Sequence, residues 1–161
     1  MGYAGQEVRP PLIGRCFLPG PVTGFYDLLQ FTIPTVIAGA TLPAYATLSG
    51  QCRVVGFGWA AHAVTGTDLT LLLGRESTLG GGITNMLQAA SIDLDANLSG
   101  YIVDSSTSPT GLDGNSVDLN GDGTRWIRVA ITSAATGTVT KFSAYLVVWH
   151  YGHPLADPLE D

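Results

Sequence analysis

The stretch that decides the fold is Lys141–Tyr151, KFSAYLVVWHY. It is an unbroken run rich in Val, Tyr, Phe and Trp, the residues that suit a pleated, half-buried surface. Alternate positions fall into two rows. Phe142, Ala144, Leu146, Val148 and His150 form one row; Lys141, Ser143, Tyr145, Val147, Trp149 and Tyr151 form the other. Both rows carry apolar or aromatic side chains, which predicts a strand covered on both faces for much of its length.

Upstream, the same pattern recurs between turn signals. Phe25–Ile33 (FYDLLQFTI) reads as the first strand, ended by Pro34. Val36–Pro43 reads as a turn leading into a short strand, with Pro43 pointing to a sheet edge because proline cannot donate to a ladder. Gln51–His62 (QCRVVGFGWAAH) is a strand with Gly56 and Gly58 on one face. That spacing predicts a bend, or a flat place where a large ring or another backbone packs closely. Asp68–Arg75 is the next strand, and Gly80–Gly82 a turn. Ile83–Leu94 mixes a helical stripe with alternation, and is read mostly as strand. Tyr101–Val103 is a short strand, 104–115 a loop, and Arg125–Thr132 (RWIRVAIT) alternates cleanly.

Together these predict an all-β chain: a jelly-roll-like β-sandwich of about eight strands. An immunoglobulin-like sandwich ranks second, because the Cys…Trp…Cys spacing of that fold is absent. Residues 1–24 hold Pro10, Pro11, Pro19 and Pro21 without apolar periodicity, and are expected to form an extended N-terminal arm. Residues 25–151 form the sandwich domain, and 152–161 a C-terminal tail.

Composition narrows the function. Of 161 residues, 45% are hydrophobic and only 12% are charged. Charged residues usually make up about 25% of a chain. So little charge suggests that partners cover much of the surface. Net charge is −6, and no Lys or Arg occurs from Glu76 to Thr124. An acidic surface repels phosphate, which argues against nucleic acid as a partner. No apolar run approaches the ~18 residues that span a bilayer, and residues 1–7 do not form a signal segment. The expectation is a soluble product made in the cytosol. Cys16 and Cys52 do not make a disulfide framework, although a bridge between them stays open at this level.

The order of three segments resembles the decoration, or head cement, proteins of tailed bacteriophages. These are Ile37-Ala-Gly-Ala-Thr-Leu-Pro43, then Ser49–Trp59 (SGQCRVVGFGW), then Asp118–Thr132 (DLNGDGTRWIRVAIT) ahead of the long final strand. The likeness covers roughly residues 25–151. It implies a jelly-roll body that binds the major capsid protein on the outside of the shell as a homotrimer. It also implies a virion protein assembled in the host cytoplasm. Such proteins often reach neighbours through their termini, so Leu12, Ile13, Phe17 and Leu18 are the expected contact residues of the arm.

Few segments suggest chemistry. Asp118, Asn120 and Asp122 stand at the first, third and fifth positions of a calcium loop, with Gly123 sixth. The twelfth position, which should close the site with an acid, is Val129. The expected reading is an Asx-rich turn, with calcium optional and no cofactor required. His62, His150 and His153 have no acid or Cys at a metal-ligand spacing, and no Gly-x-Ser-x-Gly elbow is present. No enzyme is expected. Trp59, Trp126 and Trp149 are read as core or interface residues. If they converged instead on a platform, the alternative would be a carbohydrate- or receptor-binding jelly-roll module.

Overall fold

A computed structural model describes residues 12–17, 24–48, 51–103, 111–113, 118–119 and 125–151; for 12–17 and 118 it describes the backbone. These residues form antiparallel strands in two sheets and, among them, no helix. The strands are β1 (Leu12–Phe17), β2 (Gly24–Ile33), β3 (Thr41–Leu48) and β4 (Cys52–His62). Then follow β5 (Leu69–Glu76), β6 (Ile83–Asn85), β7 (Ile92–Asp93) and β8 (Ser99–Val103). The last are β9 (Asp118–Leu119), β10 (Arg125–Ser133) and β11 (Lys141–Tyr151).

The first sheet runs β1-β2-β11-β4-β8, with β9 also on β4. The second runs β3-β10-β5-β6, with β7 also on β5. The chain goes out along β2 to β5 and returns along β6 to β11. Each outgoing strand pairs with a returning one: β2 with β11, β3 with β10, β4 with β8, β5 with β6 and β7. Folding that ribbon over adds the pairs β11–β4 and β10–β5 and yields two stacked sheets. The architecture is a β-sandwich.

Period-two alternation builds the core. Phe31, Ile33, Phe57, Phe142, Ala144, Leu146 and Val148 of the first sheet are fully or almost fully buried. They meet Leu69, Leu71, Leu73, Ile127, Val129 and Ile131 of the second. Burying a single Leu, Ile or Phe is worth about 1.5–3 kcal/mol, so this dry layer is the main force holding the sheets face to face. Val36 and Val139, joined by a bridge, close one end.

Three expectations need adjustment. Leu12–Phe17 falls inside the stretch read as an arm, yet its backbone is a strand paired with β2, with a register irregularity between Leu12 and Gly14. Ile83–Leu94 is two short strands with turns between them, not one long one. Asp118–Leu119, read as part of a turn, pairs with Arg53 and Cys52 of β4. Among the described residues β3 pairs only with β10, which puts Pro43 on an edge.

The two cysteines cannot bridge within one chain. Cys16 pairs with Tyr26, Tyr26 with Trp149, and Trp149 with Arg53, the neighbour of Cys52. Three inter-strand steps of ~4.8 Å put their backbones about 14 Å apart, beyond the ~7 Å reach of a disulfide. Cys52 is fully buried in the core.

Candidate interaction surface

The row of β11 that faces away from the core supplies the most distinctive surface. Its Tyr145, Val147, Trp149 and Tyr151 are half-buried, while Lys141 is exposed. Strand register sets their neighbours. Across the sheet, Leu28, Val147, Gly56 and Val103 form one transverse line. Gln30, Tyr145, Gly58 and Tyr101 form the next. Tyr26, Trp149 and Arg53 form a third. The face is thus largely apolar and aromatic along three successive lines, with charge at the end of the third, where Arg53 of β4 pairs with Asp118 of β9.

Gly56 and Gly58 explain how this face stays level. Both lack a side chain where Tyr101 of the neighbouring β8 lays its ring, and a Cβ at Gly58 would stand 3.2 Å from Tyr101 Cδ2. The close packing of a large ring expected of this glycine pair is present. Tyr101 nonetheless remains 59% exposed and Val103 38%. They make an apolar margin along strand β8, and Leu98, just before that strand, is exposed as well. Apolar surface grouped in this way marks a contact region more often than scattered single residues do.

At the other end, the aromatic rings interlock. Trp149 stacks on Tyr26 at 6.4 Å and leans on Tyr151 at 5.2 Å. Gly24, at φ +145°, makes room for the indole: a Cβ there would meet Trp149 Nε1 at 2.8 Å and His150 O at 2.6 Å. On the inner side, His150 stacks on Phe25 at 4.6 Å. Its Nε2 lies 3.2 Å from Asp27 Oδ2, and both side chains are almost wholly buried. This pair rigidifies the root of the aromatic group.

The outer face of the second sheet is built differently. Glu76, fully buried, lies 3.3 Å from Arg128 and accepts the Gly80 N–H at 2.7 Å. Arg128 sits over the Tyr45 ring, and Trp126 packs edge-on against the same ring at 6.3 Å. Burial pushes the Tyr45 phenol above its usual range; Arg128 pulls it back and Glu76 reinforces the rise. These groups are spent on one another and read as structural.

The residues singled out from sequence do not form one centre. Leu12, Ile13 and Phe17 sit on β1 at the edge of the first sheet, and Leu18 lies outside the described residues. Asp118 is on β9, while Asn120 and Asp122 lie outside the described residues, as do His153 and the stretch 152–161. Among the described residues no cluster of three or more His, Cys, Asp or Glu could hold a metal. His62 pairs with Lys141 and His150 with Cys52, at opposite ends of β4, about 30 Å apart at the strand rise. The tryptophans are scattered too. Trp59 is buried, stacked on Phe57, and donates to Asn97 O at 2.9 Å. Trp126 is on the outer face of the second sheet and Trp149 on that of the first, so no common platform exists. Sequence reasoning missed Tyr101 and Val103 as surface residues; the signal was there in the Gly56–Gly58 pair, which needed a ring to cover it.

No protein-family model matches the chain, and neither the curated proteins nor the solved structures compared with it contain a match.

Proposed function

We propose that this chain is a structural interaction protein, a trimeric cement that binds the outer surface of a phage capsid and stabilises the shell. The observation that carries the reading is the apolar outer face of the first sheet, from Tyr26 and Trp149 to the exposed edge of Tyr101 and Val103. Protein contacts favour aromatic side chains that can be desolvated with little loss of conformational freedom. The resemblance of the 37–43, 49–59 and 118–132 segments to head cement proteins supplies the partner. The strand order supports reading the sandwich as a jelly roll, because each outgoing strand pairs with a returning one and the ribbon is then folded over.

The physical role follows from area. A thin shell loaded with packed nucleic acid fails at the seams between its subunits. A trimer seated across those seams buries fresh surface on several subunits at once. Opening the seam then requires stripping that surface, and a standard interface buries about 1,600 Å². Linkage among three copies multiplies the gain through effective concentration. A net charge of −6 suits a position on the outside, away from the nucleic acid.

Two measurements test this. Light scattering at micromolar concentration should return about three times the 16.8 kDa chain mass; a monomer counts against the trimer. Co-sedimentation with capsids should be lost in a Tyr101→Ser/Val103→Lys variant that stays folded. Attachment unaffected by that pair removes this face from the interface. Binding on a glycan array with no capsid attachment would favour a carbohydrate-binding module instead.

A further inference from the structure

β8 (Ser99–Val103, SGYIV) pairs with β4 along Gly56–Ala60 and, among the described residues, with no other strand. One bond fixes which of its backbone groups face β4. Ala61 N–H donates to Leu98 O at 2.7 Å, and the register sets Ala61 opposite Leu98, next to the Ala60–Ser99 pair. In an antiparallel ladder, hydrogen-bonded pairs alternate with non-bonded ones. Leu98, Gly100 and Ile102 therefore turn their N–H and C=O toward β4. Ser99, Tyr101 and Val103 turn theirs to the open side of the strand. Among the described residues, none of these outward N–H and C=O groups has a partner.

The same alternation assigns the side chains. Gly100 lies against the Trp59 ring and Ile102 is buried, so both face inward. Tyr101 and Val103 face outward and are exposed. Unpaired backbone and exposed apolar side chains thus belong to the same residues. Proteins blunt such edges with Pro, Lys or a bulge. β8 contains neither residue, and its register with β4 is unbroken; β3, by contrast, carries Pro43.

Charge identifies the strand that would complete the sheet. β8 lies in the middle of the stretch from Glu76 to Thr124, where every charged residue is an acid. Asp93 is fixed near its head. Asp93 O accepts the Asn97 N–H at 3.1 Å, and its Oδ1 accepts the N–H groups of Asp95 and Ala96. Asn97 O in turn takes the Trp59 indole N–H at 2.9 Å. At the other end, Asp104 follows Val103 directly in the chain. Arg53, the one Arg or Lys of β4, lies beyond the Gly56–Ala60 stretch and pairs with Asp118. Both ends of β8 are therefore acidic and attract cations at the ends of an incoming strand. We propose that β8 binds an extended, basic segment of a partner protein by strand addition. The segment runs antiparallel to β8, with apolar side chains beside Tyr101 and Val103 and Lys or Arg at each end. This rests on reading the outer face of the first sheet as a protein interface, and adds how the partner is held.

The test is calorimetric titration of the full chain with the peptide acetyl-Lys-Thr-Val-Thr-Val-Thr-Val-Thr-Lys-amide. Its valines fall opposite Ser99, Tyr101 and Val103, so their amides face β8. It should bind in the micromolar range. The same peptide with Glu for both Lys should bind at least about fivefold more weakly at low salt. N-methylation of the valine amides should abolish binding, and N-methylation of the threonines between them should leave it within about twofold. Val103→Pro removes one outward N–H and none of the bonds to β4, so it should stay folded and weaken the peptide about fivefold or more. No binding at millimolar concentration, equal loss from the two methylated sets, or equal affinity of the Lys and Glu peptides overturns the proposal. So does a fall in light-scattering mass in Val103→Pro, which would give the edge to a second copy. The methylated peptides are read on the unaltered chain and decide the matter even if Val103→Pro does not fold. Loss of capsid attachment in the Tyr101→Ser/Val103→Lys variant without any peptide binding keeps the interface and overturns strand addition. Peptide binding without capsid attachment keeps strand addition and removes the capsid as the partner.

Discussion

Tyr101 lies across Gly56 and Gly58, and its phenol occupies the place that a side chain at Gly56 would need. Gly56→Ala should therefore push the ring off the sheet. Tyr101 is largely exposed and can swing outward, so the cost should be moderate, about 1 kcal/mol, or 2–4 °C in melting temperature. In a Tyr101→Ala background the same Gly56→Ala change should cost much less. Equal losses in both backgrounds would mean that the ring is not what the glycine accommodates.

Glu76 and Arg128 form a buried pair on the outer face of the second sheet. Glu76→Ala strands a guanidinium that is only 20% exposed and also removes the acceptor for Gly80 N–H. The expected loss is about 3 kcal/mol. Replacing both partners, Glu76→Leu with Arg128→Met, should recover most of it, because the cost lies in the uncompensated charge. Denaturant unfolding of the two single variants and the double variant measures this.

Tyr45 should make the fold sensitive to alkali. Its phenol is held above the ordinary value of 10.0, mainly by burial. Below pH 10 both folded and unfolded forms keep the proton, and the stabilisation is fully present. As pH rises past 10 the unfolded chain releases that proton first, so stability falls until the folded phenol ionises too. Urea midpoints measured against pH should decline above about pH 10, and Tyr45→Phe should lose that part of the decline. An identical decline in Tyr45→Phe would assign it to other groups.

Asp27 and His150 meet at the inner end of the first sheet, under the Phe25 ring. Asp27→Ala removes a buried carboxylate from a buried imidazole and should cost about 2–3 kcal/mol. The aromatic group above should loosen with it. Tryptophan fluorescence should report that, since Trp149 neighbours His150 and stacks on Tyr26. A destabilised variant with an unchanged Trp149 signal would uncouple the pair from the aromatic face.

Calcium should leave the protein's stability unchanged. Asp118 lies on β9, paired with Arg53 of β4, and Val129, at the position of the closing acid, is buried in the core. Melting curves in millimolar calcium and in chelator should superimpose. A rise of many degrees in calcium, abolished by Asp122→Ala, would identify an ion site completed by other oxygens.

Elements with a strong two-residue period were legible in the sequence. Lys141–Tyr151 is a strand with the same bounds as the quoted stretch, and Arg125–Thr132 and Gln51–His62 shift by one residue. β1 was not legible because it pairs on one side with β2, carries an irregularity near Gly14 and lies between prolines. Ile83–Leu94 hid a turn. Asn85 donates to Leu87 O and Ala89 O and accepts from Leu87 N, so one side chain ends β6 by replacing ladder bonds. The open side of β8 was invisible for another reason. It exists only through the β4–β8 register, and no local pattern encodes which distant strand a strand will choose.

The pairing of β2 with β11 has a consequence for how the protein is made. Gln30 and Tyr145, joined across these strands, are 115 positions apart in the chain. As synthesis proceeds from the N-terminus, β2, β3 and β4 emerge long before the returning strands that complete their sheets. The β11 strand, which lies between β2 and β4, arrives last. The nascent chain must therefore remain open, with its apolar rows uncovered, until Tyr151 has left the ribosome. Non-local topologies of this kind fold slowly and are exposed to aggregation meanwhile. The finished sandwich is then closed by its final strand, and a truncation that removes β11 leaves two half-sheets without a common centre.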